Sequence, residues 1–190
     1  MTLLSVETSA TWLNLDAWSN FYVGAHWLAT EELPNEHWQT EPRHGPLSQL
    51  LLIASQHLVE LTLLTCVSEV LKANPNKFPK IEKKFPKARF DDAFKEWTIE
   101  LTDRAFDTNL EPYKSLKRLQ ERRNATAHKE SALTSLEMGR SALFSAVEGS
   151  KSIAVHFRGS NGFPYEPVLK KYPLRSQRWF SDVDFIERPT

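Results

Sequence analysis

Residues Pro46–Ala73 read PLSQLLLIASQHLVELTLLTCVSEVLKA, and their pattern decides the fold. Leu47, Leu50, Leu51, Ala54, Leu58, Leu61 and Leu64 recur at helical spacing and fall on one side of a single long helix. Ile53, Val59, Leu63, Val67 and Val70 cover much of the other side. Proline suits the first turn, where its missing N–H would have had no partner anyway. A helix apolar nearly all round must be covered nearly all round, which predicts the central helix of an all-α bundle. Gln49, Gln56, His57, Glu60 and Glu69 interrupt the run and make it a poor membrane span. Cys66 sits inside it as the only cysteine, which excludes an intramolecular disulfide and predicts a buried, inert thiol.

Further helices follow outward from this one. On the N-terminal side Leu15, Trp18, Tyr22, Ala25 and Ala29 form a stripe between Trp12 and Thr30, and LPNEHWQTEPRHGP, from Leu33, reads as a loop. On the C-terminal side three prolines break the pattern in ANPNKFPKIEKKFPKARF. Asp91 is placed to cap a helix with Phe94, Trp97, Leu101 and Ala105 on one face. Another opens near Glu111-Pro112 with Tyr113, Leu116 and Leu119 inward. Thr134 and Glu137 have capping-box spacing for a helix that carries Leu136, Leu143 and Val147 and ends near Gly149. IAVHF, residues Ile153–Phe157, alternates as a short strand would, and the tail from Tyr165 has aromatic anchors without a helical period. The expected architecture is an all-α bundle of about five helices with an irregular or short-β C-terminal arm. It reads as one globular domain: a Trp-rich helical segment over residues 1–45 packed on the bundle, a core over 46–152, and an extended arm over 153–190 that crosses the bundle or reaches a partner.

Composition narrows the function classes. With 41% apolar and 25% charged residues in 190, the chain is of globular type, and its formal net charge of zero announces neither a polyanion nor a membrane. The charge is unevenly placed, however. Residues 1–44 hold six acids against Arg43, whereas residues 72–89 hold seven bases against Glu82 and residues 112–129 hold six against Glu121. A neutral protein so patterned can still present a basic face, because local field steers a polyanion. No secretory signal pattern opens the chain, so the expected compartment is cytoplasmic. His26, His37, His44 and His156 lack metal-ligand spacing and no glycine-rich phosphate loop occurs, so neither a metal nor a cofactor is expected.

The chemistry concentrates in ERRNATAHKES, Glu121–Ser131. Cutting RNA without a metal requires a group that moves protons near neutral pH, which histidine does, and a cation where charge builds on phosphate, which arginine supplies. The 2′-hydroxyl of the substrate is then the nucleophile. Asn124 and His128 are four apart and share a helix face, while Arg123 lies about 140° round from His128. Either the arginine reaches over, or a second copy of the helix completes the set. The plainer reading of such residues is a solvated helix surface.

Arg123, Asn124, three spacers and His128 resemble the R-x4–6-H signature of the HEPN superfamily, written RNxxxH in its nuclease members, over roughly residues 46–150. The resemblance implies a bundle of four or five helices and a metal-independent endoribonuclease that leaves a cyclic phosphate. In that frame His128 is the general acid or base, Arg123 stabilises the phosphorane, and Asn124 positions one or the other. Arg122 is also within the permitted spacing and is a reserve candidate. The family further implies a homodimer with two motifs facing one cleft. It also implies a toxin or antiphage role, with an antitoxin or defence-system partner protein.

Supporting residues have two readings each. Gln56 and Glu60 form either a satisfied polar cluster, which is the commoner use, or a pair in which Glu60 faces the Arg/His motif. Lys80, Lys83 and Lys84, interleaved with Phe78, Phe85 and Phe90, belong either to an RNA-binding segment or to a loop pinned by its rings. Lys117, Arg118 and Lys129 flank the motif as candidate RNA contacts. Two non-catalytic alternatives stand beside the nuclease: a helical module that binds a partner protein or nucleotide, and an RNA-binding module that does not cut.

Overall fold

Residues Pro46–Ala73 form one unbroken helix in the computed structural model, which describes residues 17–30, 46–88, 90–128, 134–175 and 177–183. In chain order the elements are α1 (Ala17–Thr30), α2 (Pro46–Ala73), α3 (Pro79–Lys84), a 3-10 turn (Phe85–Lys87), α4 (Phe90–Asp92), a π-helical stretch (Ala93–Trp97), α5 (Thr98–Thr102), α6 (Tyr113–His128), α7 (Leu136–Arg158), α8 (Glu166–Lys171) and a 3-10 turn (Phe180–Asp182). The fold is an all-α bundle, with no β-strand among the described residues.

The centre is the pair α2 and α7, which share the most extensive contact among the described residues; α1 and α6 pack against both. Two apolar clusters lie on opposite sides of this pair. Leu52, Val59, Leu63 and Val67 of α2 pack with Phe94, Trp97, Leu116, Leu119 and Phe180. Leu51 and Leu58 pack with Trp18, Tyr22, Leu143, Val147 and Phe163. Occupation on both sides is why α2 carries leucine and valine around most of its circumference. By length and composition alone α2 could cross a membrane, but 56% of its most apolar window is buried within the bundle. Cys66 lies in that interior at 1% exposure, and burial pushes its thiol pKa up to about 11.

Several sequence expectations are corrected. IAVHF is not a strand: α7 runs past Gly149 through Ile153–Phe157 to Arg158, with Ile153 and Ala154 buried. Ile153 and Phe157, four apart, turn to the core while Val155 between them is exposed, and the helix stops at Gly159, whose φ of 87° favours glycine. The capping box of α7 is one residue later than expected: Ser135 Oγ accepts from Met138 N at 3.1 Å, and Thr134 lies outside the helix. Asp91 sits in the first turn of α4 rather than capping it, and Ala105 lies beyond the end of α5 and is exposed. The proline-broken segment still builds α3, because Pro79 occupies the helix start, where it is tolerated. The segments 1–16 and 31–45, with the expected loop, lie outside the described residues.

Residues 159–175 and 177–183 form a strap across the bundle. Tyr165 stacks on Trp18 at 4.4 Å between ring centroids and Phe163 meets the same indole edge-on at 5.3 Å. Further on, Phe180 N donates to Ser145 Oγ (2.9 Å) and Ser181 N to Ser115 Oγ (3.1 Å), so this part of the strap rests on α7 and α6.

Two consequences are measurable. A Cβ on Gly149 would meet Leu116 Cδ2 at 2.6 Å, and Leu116 is fully buried. Gly149→Val is expected to lower unfolding free energy in urea by about 2 kcal/mol, overpacking outweighing the gain in helix propensity. His156 is half-buried with Nε2 2.9 Å from Thr102 Oγ1, and its pKa is lowered, first by burial and then by the Arg104 charge. The unfolded chain therefore binds the proton first. Stability is expected to fall as pH drops below about 6.5 toward the lowered native value, and the His156→Gln chain should lose that component of the pH dependence.

Candidate functional site

The helix that carries the motif, α6, is shaped by Tyr113, Leu116 and Leu119, which turn one face into the core. Arg123 continues that inward face and meets α2, where its Nη2 donates to Glu60 Oε1 at 2.5 Å. Both side chains are mostly covered, at 29% and 28% exposure. Gln56, one turn earlier on α2 and buried, donates from Nε2 to the same Glu60 oxygen at 3.1 Å. The polar interruption of α2 is thus a relay, Gln56 to Glu60 to Arg123, that fixes the guanidinium from behind.

Asn124 is exposed, on a different side of α6, and Arg122 is half-buried. His128 is the last residue of the helix; its side chain, together with Lys129, lies outside the described residues. Within one chain, then, Arg123 and Asn124 do not converge. Arg123 instead opens on a groove of 680 Å³ between α1 and α2. Leu28, Leu50 and Ile53 give it apolar walls, and His57, Glu60 and Arg123 make its polar end. His57 packs edge-on against Phe21 with ring centroids 4.4 Å apart. In sequence His57 is only one of the polar interruptions of α2. The signal that would have placed it is its i,i+3 spacing to Glu60, which puts both on the groove face.

The candidate RNA contacts divide into two groups. Lys117 lines a cleft of 610 Å³ with Lys95, Lys114 and Glu121. Arg118 borders that cleft but commits its guanidinium to the backbone carbonyls of Ser181 and of Val183, the latter at 2.8 Å, and so helps anchor the strap. Lys80, Lys83 and Lys84 line a separate groove of 650 Å³ with Lys87, Asp92 and Trp97. Of the rings interleaved with them, Phe78 is buried and Phe85 and Phe90 are half-buried against the core. The loop-pinning reading therefore describes the rings, while the lysines remain exposed. Among the described residues no cluster of three or more His, Cys, Asp or Glu is placed to hold a metal ion.

No family model, no curated protein and no solved structure matches the chain.

Glu60 and Arg123 are expected to couple in stability. In a double-mutant cycle with Glu60→Gln and Arg123→Met, the coupling energy from urea unfolding should be about 1 kcal/mol, in the range of a partly covered charged hydrogen bond. Additive effects would mean that the pair holds nothing in place.

Proposed function

We propose that this protein is a metal-independent endoribonuclease of the HEPN type that works as a homodimer. The observation that carries the reading is the backing of Arg123 by Glu60 and Gln56. A cation held from behind and open to a groove is what electrostatic stabilisation of a phosphorane requires, because its orientation is set before substrate arrives. In the reaction the substrate 2′-oxygen attacks the adjacent phosphorus and gives up its proton. The 5′-oxygen leaves and takes a proton, so the products are a 2′,3′-cyclic phosphate and a free 5′-hydroxyl. His128 moves these protons, Arg123 balances the charge on the non-bridging oxygens, and Asn124 positions the phosphate.

The angular problem supports the dimer. One chain turns Arg123 toward α1 and α2 while Asn124 lies on another side of α6, so two chains bring an arginine and a histidine to one phosphate. Exposed Phe21 (46%), Leu50 (51%) and Ile53 (42%) beside Arg123 support this, since a second copy would cover them. A role as a toxin or defence effector, restrained by a partner protein, rests on the likeness of the motif to that family.

A second reading draws on the same groove: a non-catalytic module that binds a partner protein or nucleotide, with Arg123 as its anchor for an anionic group. One experiment separates the two. The purified chain is expected to cut RNA in the presence of EDTA, with His128→Ala and Arg123→Ala each slowing cleavage by 10²-fold or more. Mixed together, the two inactive variants should regain activity, because one of the two composite sites in a mixed dimer is intact. Lack of cleavage by a folded wild-type chain removes the nuclease; cleavage without recovery on mixing removes the shared site.

A further inference from the structure

Along α6, Lys114, Lys117, Glu121, Asn124 and position 128 follow one another at steps of three, four, three and four. On a helix with 3.6 residues per turn such positions form a single stripe. The N-terminal half of that stripe is one wall of the 610 Å³ cleft. The facing wall contributes Lys95, from the π-helical stretch whose Phe94 and Trp97 are buried, and Asn109, from the loop before α6. Lys95, Lys114 and Lys117 are all exposed, and none of them forms an ion pair among the described residues. The cleft thus combines three uncommitted ammonium groups with amide and carboxylate acceptors. From Lys117 to position 128 the helix rises roughly 16 Å, so the lysines and the catalytic end of α6 lie along one continuous path.

We propose that this cleft is a phosphate-backbone subsite for single-stranded RNA, an assignment that rests on the nuclease reading of the same helix. Lys95, Lys114 and Lys117 hold the phosphates of nucleotides a few positions away from the bond cut at the His128 end. Lys95 faces Lys114 and Lys117 across the cleft, and the stripe continues along α6 beyond them, so the basic walls open into a path that a chain of phosphates can follow. A single strand is required because 2′-hydroxyl attack needs a sugar free to rotate into line, which a duplex restrains. Glu121 leaves the cleft net positive and offers an acceptor to a 2′-hydroxyl, the group that distinguishes RNA from DNA. Arg118 takes no part, since it is already bonded to Ser181 and Val183 carbonyls.

The test uses the full chain carrying His128→Ala, so that RNA stays intact, and a fluorescein-labelled oligouridylate read by anisotropy over a range of KCl. Adding Lys95→Gln, Lys114→Gln and Lys117→Gln should weaken binding roughly ten-fold at low salt. It should also reduce the slope of log K against log [salt] by about 2, the value for three phosphate contacts on a single strand. Lys80→Gln, Lys83→Gln and Lys84→Gln, in the separate groove, are expected to leave the slope in place. Equal loss from both triplets, or no loss from the first, overturns the subsite; circular dichroism of each variant confirms that the fold is kept. Cleavage by the wild-type chain is scored separately. RNA cutting with an unaltered slope removes the subsite and keeps the nuclease, whereas a lysine-dependent slope without cutting keeps the subsite and removes the nuclease.

Discussion

Helix α2 has to be covered on two sides, and the rest of the molecule is arranged to do so. Its leucines and valines supply both apolar clusters, so no single neighbouring layer would suffice. α7 lies along it and faces both clusters in turn, with Met138, Ala142 and Ala146 toward one and Leu143 and Val147 toward the other. Close approach is achieved by small residues: added Cβ atoms at Gly139 and Gly149 would run into Leu51 and Leu116 at 2.7 and 2.6 Å. The described part of the tail then closes the arrangement, since Tyr165 packs on Trp18 and residues 180–181 reach α6 and α7.

That constraint also fixes what α6 can present. Leu116 and Leu119 must face the core, and the 100° step between residues then decides the direction of every other side chain. Arg123 is carried to the inner face, where an unpaired guanidinium would lose hydration without compensation, and Glu60 supplies the missing partner. The carboxylate sits inside an otherwise apolar helix for this reason, and Gln56 supports it in turn. The same rotation leaves Lys114, Lys117, Glu121 and Asn124 exposed on another side.

Much of this was legible in the chain. The bounds of α2, the inward residues of α6 and the stripe of α1 are set by apolar periodicity, which is a local property of sequence. The failures came where two periods coincide over a short span. IAVHF satisfies an alternating pattern over five residues, but it is the end of a long helix, and length is what distinguishes the two. The π-helical stretch Ala93–Trp97, which carries Lys95 on the cleft wall, has no distinct sequence signature. Likewise, the pairing of Glu60 with Arg123 joins residues far apart in the chain; spacing showed that both were unusual and left open whether they met.

The basic run over residues 112–129 shows how the fold sorts groups that look alike in sequence. Arg118 bonds to carbonyls of the tail, so its charge is already used in holding the strap. Arg123 is paired with a carboxylate and presents an oriented but partly balanced cation. Lys114 and Lys117 are exposed and carry no such commitment among the described residues. An arginine with an internal partner keeps only its remaining N–H donors for an anion, whereas an exposed ammonium exchanges only water and counterions. Under the proposed nuclease reading, electrostatic binding falls to the lysines and fixed orientation to Arg123. Counting bases along the chain does not reveal that division, because it depends on which way each one turns from a helix whose rotation is set by Leu116 and Leu119.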